Sequence, residues 1–195
     1  NMFIKIAMSS DSQDILDMAR SYGVDLLIKR PIELATDSSG KIPAIKHAAM
    51  EAERITGLTF NTFCDLDITS PLRSIEDICG AILQLEKEGV GNLLSATPSK
   101  RSPYFNLLEV TDQGVAHVSK QLPEQILCRQ DSPKCFDANA SIYVWRRDVL
   151  FNNNSLFLND TALFLMPEDR SYDIDSNTDF EIVEFLASKR KDMYK

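Results

Sequence analysis

An α/β fold with a mainly parallel sheet covered by helices on both faces is predicted by three observations. Short apolar runs alternate with helical patterns through roughly the first half of the chain. The polar loops singled out below follow strands, at the carboxyl ends where such sheets bind ligands. The 195 residues, 44% hydrophobic and 26% charged, suffice for one domain with a full core.

Residues 2–8 read as a strand. Ser10 and Gln13 have capping-box spacing for a helix to about Tyr22, with Ile15, Leu16, Met18 and Ala19 as its apolar face and Gly23 as its stop. Residues 24–28 form a continuous apolar strand of the kind buried on both faces. Residues 30–41, punctuated by Pro31 and Gly40, make a long loop, and such loops beside parallel strands usually carry function. A helix over 42–56 has Pro43 in its first turn, where a missing N–H is harmless. Ile45, Ala48, Ala49, Ala52 and Ile55 line its buried side, and Gly57 ends it. Residues 58–66 return as a strand. Residues 67–78 form a second loop, broken by Pro71, with Ser74 and Asp77 capping a helix to about Lys87 that aligns Ile75, Ile78, Ile82 and Leu85. Residues 92–96 are the next strand.

From Pro98 the rhythm changes. Residues 104–110 and 115–119 flank Thr111-Asp112-Gln113-Gly114, a hairpin signal, and an irregular basic and polar stretch follows over 127–140. A hairpin inserted at about 99–140 serves as an arm, a lid or an oligomer contact. Residues 141–145 are again a strand, 147–151 a short helix and 162–166 a strand. The last helix, over 179–190, carries Phe180, Ile182, Val183, Phe185 and Leu186, and its basic end suits the helix dipole.

Composition narrows the function. A net charge of -8 argues against a nonspecific nucleic-acid binder, which needs surplus Lys and Arg to neutralise phosphates. No apolar run is long enough to span a bilayer and no leader pattern is present, so no membrane partner is expected. Cys64, Cys79, Cys128 and Cys135 form no Cys-x-x-Cys pair, and only His47 and His117 could join them, so zinc is not supported. Cys64 and Cys79 fall in patterns of a buried strand and a helix, which fits a reducing cytoplasm.

The most informative stretch is MPEDRSYDIDSNTDFE, residues 166–181. Asp173 and Asp175 are expected to leave the strand end together, because side chains at i and i+2 of an extended segment point the same way. Mg²⁺ takes one or two carboxylates and completes its shell with substrate phosphates, so this pair is a candidate seat. On local features alone the stretch reads first as an acidic helix start, with Thr178-x-x-Glu181 as a capping box.

Four segments in order alter that balance. RPIELATD at 30–37, TSPLR at 69–73, RQ followed by P at 129, 130 and 133 with NASIY at 139–143, and MPEDRSYDID at 166–175 together resemble the acylneuraminate cytidylyltransferases. These enzymes make CMP-sialic acids, and the resemblance covers essentially the whole chain. It implies a Rossmann-like, three-layer nucleotidyltransferase fold and attack of a sugar's anomeric hydroxyl on the α-phosphorus of CTP. By the same resemblance, Arg30, Asp37, Ser39 and Lys41 lie against the nucleotide, and Asp67, Ser70, Arg129, Gln130, Asn139 and Tyr143 around the sugar. The resemblance further implies that Asp173 and Asp175 hold Mg²⁺ as the catalytic carboxylates and that the inserted hairpin makes a homodimer.

The departures from the family pattern are specific. Asp67-Ile68 stands for Gln-Pro, Asn139-Ala140-Ser141 for Asn-Gly-Ala, Asp137 for a basic residue, and Lys41 for a small hydroxyl residue. With SPYFN at 102–106, these resemble the branch that activates legionaminic acid, a diamino relative of sialic acid. A carboxylate in the sugar pocket can accept amide N–H bonds from such a substrate. Two alternatives stay open: another 2-keto sugar acid, such as pseudaminic acid or the eight-carbon acid of lipopolysaccharide core, or a noncatalytic paralogue that only dimerises. The family's first strand and its Gly- and Lys-rich phosphate loop find no match, since FIKIAMSSDS corresponds to the second strand. About forty residues typical of the fold are therefore expected to be missing, and with them the loop that cradles the CTP phosphates.

Overall fold

In the computed structural model, which describes residues 2–36, 38–124, 126 and 128–192, the chain divides into two compact units. The first comprises Asn1–Asp65, Ile78–Leu93 and Ile142–Ala162; the second comprises Leu66–Asp77, Leu94–Ser141 and Leu163–Lys195. No helix among the described residues is long and apolar enough to cross a membrane.

The first unit opens with a strand, helix, strand unit. β1 (Ala7–Ser10) pairs in parallel with β2 (Leu26–Lys29), Ala7 facing Leu26 and Ser10 facing Lys29, across α1 (Gln13–Ser21). The expected strand over 2–8 is thus displaced toward Ser10. A strand exists only where a ladder is offered, and β2 supplies four residues; before them Ile4 is exposed and the Ile6 N–H goes to the Asp25 carboxylate at 2.8 Å. The N-cap of α1 is Ser12 rather than Ser10, its hydroxyl accepting from the Ile15 N–H. Ser10 is buried and accepts from the Ser12 N–H. Of the expected apolar face only Leu16 and Ala19 are buried, while Ile15 and Met18 are exposed. Gly23, at φ 79°, ends the helix as expected, its N–H reaching Arg20 O at 3.0 Å.

α2 (Lys41–Thr56) starts at the expected place, with Pro43 in its first turn and Gly57 in the left-handed region at its end. Ile42, Ile45, Ala49 and Ala52 are buried, and Ile55 is exposed. Ala52 joins Leu26 and Ile28 of β2 in a core cluster that Ala48 and Phe60 extend. The loop before α2 contains one 3-10 turn, Ile32–Leu34.

β3 (Thr62–Leu66), β7 (Phe136–Arg146), β4 (Asn92–Pro98) and β8 (Ala162–Leu165) lie in that order in a four-stranded sheet. β3 begins four residues after the expected start at 58, and Leu58 is exposed. α3 (Ile75–Glu88) has the expected capping box. The Ser74 N–H donates to Asp77 Oδ2 at 2.8 Å, and the Asp77 N–H to Ser74 Oγ at 3.2 Å. Its buried positions are Asp77, Ala81 and Leu85, four apart, so the expected stripe through Ile75 is shifted and Ile75 itself is exposed. α4 (Arg147–Asn152) follows β7 directly.

In the second unit, β5 (Leu108–Val110) and β6 (Ala116–Val118) form the expected antiparallel hairpin, shorter at both ends. The residues before β5 turn instead of extending, because Ser102 O accepts from the N–H groups of Phe105, Asn106 and Leu107. β7 corrects a second expectation: it begins at Phe136, inside the stretch read as irregular. Its polar Asp137 and Asn139 mask the strand pattern. Within it Ala140 has φ 52°, the left-handed backbone that favours glycine. Ala140→Gly is therefore expected to stabilise the protein by about 1 kcal/mol, relief of the Cβ clash exceeding the entropy a glycine loses. A urea midpoint that does not rise would contradict a left-handed residue here.

The acidic stretch is also built differently from expectation. β8 ends at Leu165, a 3-10 turn (Glu168–Arg170) follows, and residues 171–175 have no regular structure. The box of α5 (Asn177–Ser188) is Ser176-x-x-Asp179, two residues before the expected Thr178-x-x-Glu181. The Asp179 N–H donates to Ser176 Oγ at 3.3 Å and the Ser176 hydroxyl to Asp179 Oδ2 at 2.7 Å. Val183 of α5 is buried, whereas Phe180 and Phe185 are exposed.

Candidate functional site

The second unit holds most of the expected sugar and metal residues. Ser70 is fully buried in the loop before α3, and its hydroxyl sits 3.1 Å from Asn139 O and 3.3 Å from Asp173 Oδ1. Asn139, on β7, is buried and engaged at both ends of its amide. Its Oδ1 accepts from the Ser95 hydroxyl at 2.6 Å, and its Nδ2 donates to Ser171 Oγ at 3.0 Å. The Thr69 carbonyl accepts from the Ile174 N–H at 2.9 Å. Four segments distant in sequence, 69–70, 95, 139 and 171–174, are thereby fastened into one polar network.

Asp173 and Asp175 do not leave a strand end together, since seven residues separate Leu165 from Asp173 along the chain. Asp173 is half-buried, and its Oδ1 also accepts from the Ile174 N–H. Asp175 is exposed, with its own N–H on Asp179 Oδ2 at 3.3 Å. No hydrogen bond within the second unit, among the described residues, engages Asp173 Oδ2 or either Asp175 carboxylate oxygen. Hard carboxylate oxygens of this kind fit Mg²⁺, which needs only one or two of them when phosphates complete its shell. A closed protein site is not formed: no group of three or more His, Cys, Asp or Glu among the described residues is arranged to hold a metal.

Arg73 was not expected as a site residue, although it ends the TSPLR segment. Its guanidinium donates to the carbonyls of Asp67 and Ser70 at 2.6 Å each, curling the loop around one charge. Asp67 is half-buried at the start of that loop. Arg129 and Gln130 lie on an exposed 3-10 turn (Arg129–Asp131), with Arg129 Nη2 on Ser99 O at 2.9 Å.

A second unexpected pair lies in the same unit. Arg170 forks onto Asp77, Nε to Oδ2 at 2.7 Å and Nη2 to Oδ1 at 2.8 Å. Asp77 is 3% exposed. Burial pushes its carboxyl up, but the Arg170 fork and the Ser74 N–H outweigh that and hold it below the usual aspartate value. The two residues are 93 apart in sequence, so no local pattern could have paired them.

The first unit brings together two residues assigned to different substrates. Lys41, at the start of α2, has Nζ 3.1 Å from Asp65 Oδ2 and 4.5 Å from the centroid of the Tyr143 ring. Tyr143 is buried on β7. Such an ammonium is held both by charge and by the ring's negative face. Asp65 had not been singled out, and its signal was only its position two residues before Asp67. Arg30 follows β2 and turns back on β1, Nη2 on Ser9 O at 2.8 Å and Nε on Ser9 Oγ at 3.2 Å. Ser39 closes the loop before α2 through Glu33 O at 2.8 Å. Asp37 lies outside the described residues.

No family model matches the chain. It is 41% identical over 189 residues to a post-translational flagellin modification protein B of Campylobacter coli, covering 97% of this chain and 79% of that protein. It is 41% identical over 187 residues to a CMP-N,N'-diacetyllegionaminic acid synthase of Campylobacter jejuni subsp. jejuni serotype O:2, covering 96% and 78%. Among solved structures it is similar to CMP:2-keto-3-deoxy-manno-octonic acid synthetase complexed with CTP. The TM-score is 0.62 at 13% identity over 95% of this chain and 81% of that one, a likeness of fold alone.

Proposed function

The chain belongs to the acylneuraminate cytidylyltransferase family, on its legionaminic-acid side, and we propose that it transfers CMP from CTP to a nonulosonic acid of legionaminic type. The observation that carries this reading is the 41% identity to a CMP-N,N'-diacetyllegionaminic acid synthase over almost the whole chain. In the reaction, the sugar's anomeric hydroxyl gives up its proton to solvent, its oxygen bonds to the α-phosphorus as the bond from that phosphorus to the bridging β-phosphate oxygen breaks, and pyrophosphate leaves. Catalysis of this kind is mainly positioning and charge stabilisation.

Asp173 and Asp175 would hold Mg²⁺, which when bound would neutralise charge on the phosphates. Arg30, Ser39 and Lys41, with Asp37, serve the nucleotide; Asp67, Arg129, Gln130 and Tyr143 serve the sugar. Arg129, exposed and with a planar fork, suits the sugar's carboxylate. Ser70 and Asn139, whose polar atoms are engaged within the protein, serve by shaping the loop and by orienting Asp173. The hairpin arm joins two copies, a reading supported by exposed Leu108, Val110 and Val115. Four free thiols, Cys64, Cys79, Cys128 and Cys135, support a cytoplasmic setting, where CTP is made.

The test is pyrophosphate release from CTP and Mg²⁺ with a panel of acids, on a preparation whose mass is fixed by sedimentation. N,N'-diacetyllegionaminic acid is expected to exceed N-acetylneuraminic acid in kcat/KM by at least about a hundredfold, as buried polar contacts discriminate strongly. The active species is expected to sediment as a dimer. Equal use of both acids would overturn the branch assignment, and an active monomer the dimer.

A further inference from the structure

Residues 171–175 have no regular structure, so no helical or strand repeat fixes where Asp173 and Asp175 sit. What fixes them is a set of tethers to residues 69–77. The Ile174 N–H is held by Thr69 O, Asp173 Oδ1 by the Ser70 hydroxyl, and Arg170 by both oxygens of Asp77. Asp77 is itself immobilised. It is buried in the first turn of α3 and caps the Ser74 N–H. We propose that Arg170, clamped by Asp77, is a positioning residue that sets the Asp173 and Asp175 carboxylates for a divalent cation. This rests on the reading of those two aspartates as the metal carboxylates.

The geometry favours this role over a plain contribution to stability. Two parallel N–H···O bonds fix orientation as well as distance, and Arg170 lies three residues before Asp173. A buried ion pair is a poor stabiliser compared with well-packed apolar groups, whereas it defines one arrangement of the chain. A lysine at 170 would keep the charge but lose the fork.

The test compares Arg170→Gln and Arg170→Lys with the unaltered protein. Two quantities are read: the dissociation constant for Mn²⁺ alone, from the electron paramagnetic resonance of free Mn²⁺, and the Mg²⁺ half-saturation of pyrophosphate release. Arg170→Gln is expected to raise both by about tenfold, as loss of groups that orient metal ligands does, while the KM for CTP at saturating Mg²⁺ stays within about twofold. Arg170→Lys is expected to fall between. An unchanged Mn²⁺ dissociation constant in folded Arg170→Gln overturns the proposal; if that variant does not fold, the same result in Arg170→Lys overturns it. Asp175→Asn in the same titration separates the two claims. If it binds Mn²⁺ as tightly as the unaltered protein, the metal assignment itself fails. If it weakens Mn²⁺ while both Arg170 variants do not, only the positioning role fails.

Discussion

Asp175→Asn in the full protein is expected to lower pyrophosphate release from CTP by at least about a thousandfold and to leave folding stability within about 0.5 kcal/mol. The first number follows from what a carboxylate–metal contact supplies. Stabilising charge on a phosphoryl group is worth several kcal/mol, and about 4 kcal/mol converts to about a thousandfold in rate. The second follows from the position of the residue. Asp175 is exposed, and only its backbone N–H is held within the second unit, by Asp179. An amide keeps that backbone bond and loses only the charge. Turnover measured at saturating Mg²⁺ beside a urea unfolding curve decides it; undiminished turnover removes the metal assignment.

Asp77→Ala is expected to have the largest effect on stability, a loss of about 3–5 kcal/mol at neutral pH, because it leaves a part-buried guanidinium without its partner. The same change removes the acceptor that caps the Ser74 N–H at the start of α3. The loss should depend on pH in a defined direction. The folded-state carboxyl of Asp77 lies below its ordinary value of 3.8, so its contribution is fully present above that value and is lost as pH falls through the folded value. The stability gap between the unaltered protein and Asp77→Ala should therefore narrow as pH drops below 3.8. Urea midpoints at pH 7 and at about pH 3 measure it. A gap that stays constant across that range would show that the Arg170 fork does not hold the ionised form.

Much of the fold was legible wherever the deciding interaction was local. Gly23 and Gly57 ended their helices, Pro43 entered α2, and the Ser74 and Asp77 box opened α3 as read, because each depends on residues within one turn. The failures share a different cause. β1 and β3 are shorter than their apolar runs because strand length is set by a partner elsewhere in the chain. β7 was cut short at Ser141 because Asp137 and Asn139 look like loop residues until the sheet and the Ser95 and Ser171 partners are known. The box of α5 moved to Ser176 because Ser and Thr compete as caps at neighbouring positions, and sequence alone ranks both.

The candidate site shows the same division. Asp173 and Asp175 are singled out by residue type and order, but the alternation on a strand expected of them does not hold. Their placement comes from Ser70, Thr69 and the Asp77–Arg170 fork, none of which is near them in sequence except Arg170. Ala140 is the clearest case of a departure with a structural meaning. It stands where the family pattern described above has glycine, and its φ of 52° is one that glycine adopts without strain.

The most direct test is a phosphorus NMR spectrum of the protein incubated with CTP, N,N'-diacetyllegionaminic acid and Mg²⁺. The CTP resonances are expected to be replaced by one phosphodiester of a CMP-sugar and by pyrophosphate in equal amount. CTP that persists unchanged in the presence of folded protein, or that yields CMP and pyrophosphate without the sugar conjugate, would contradict it.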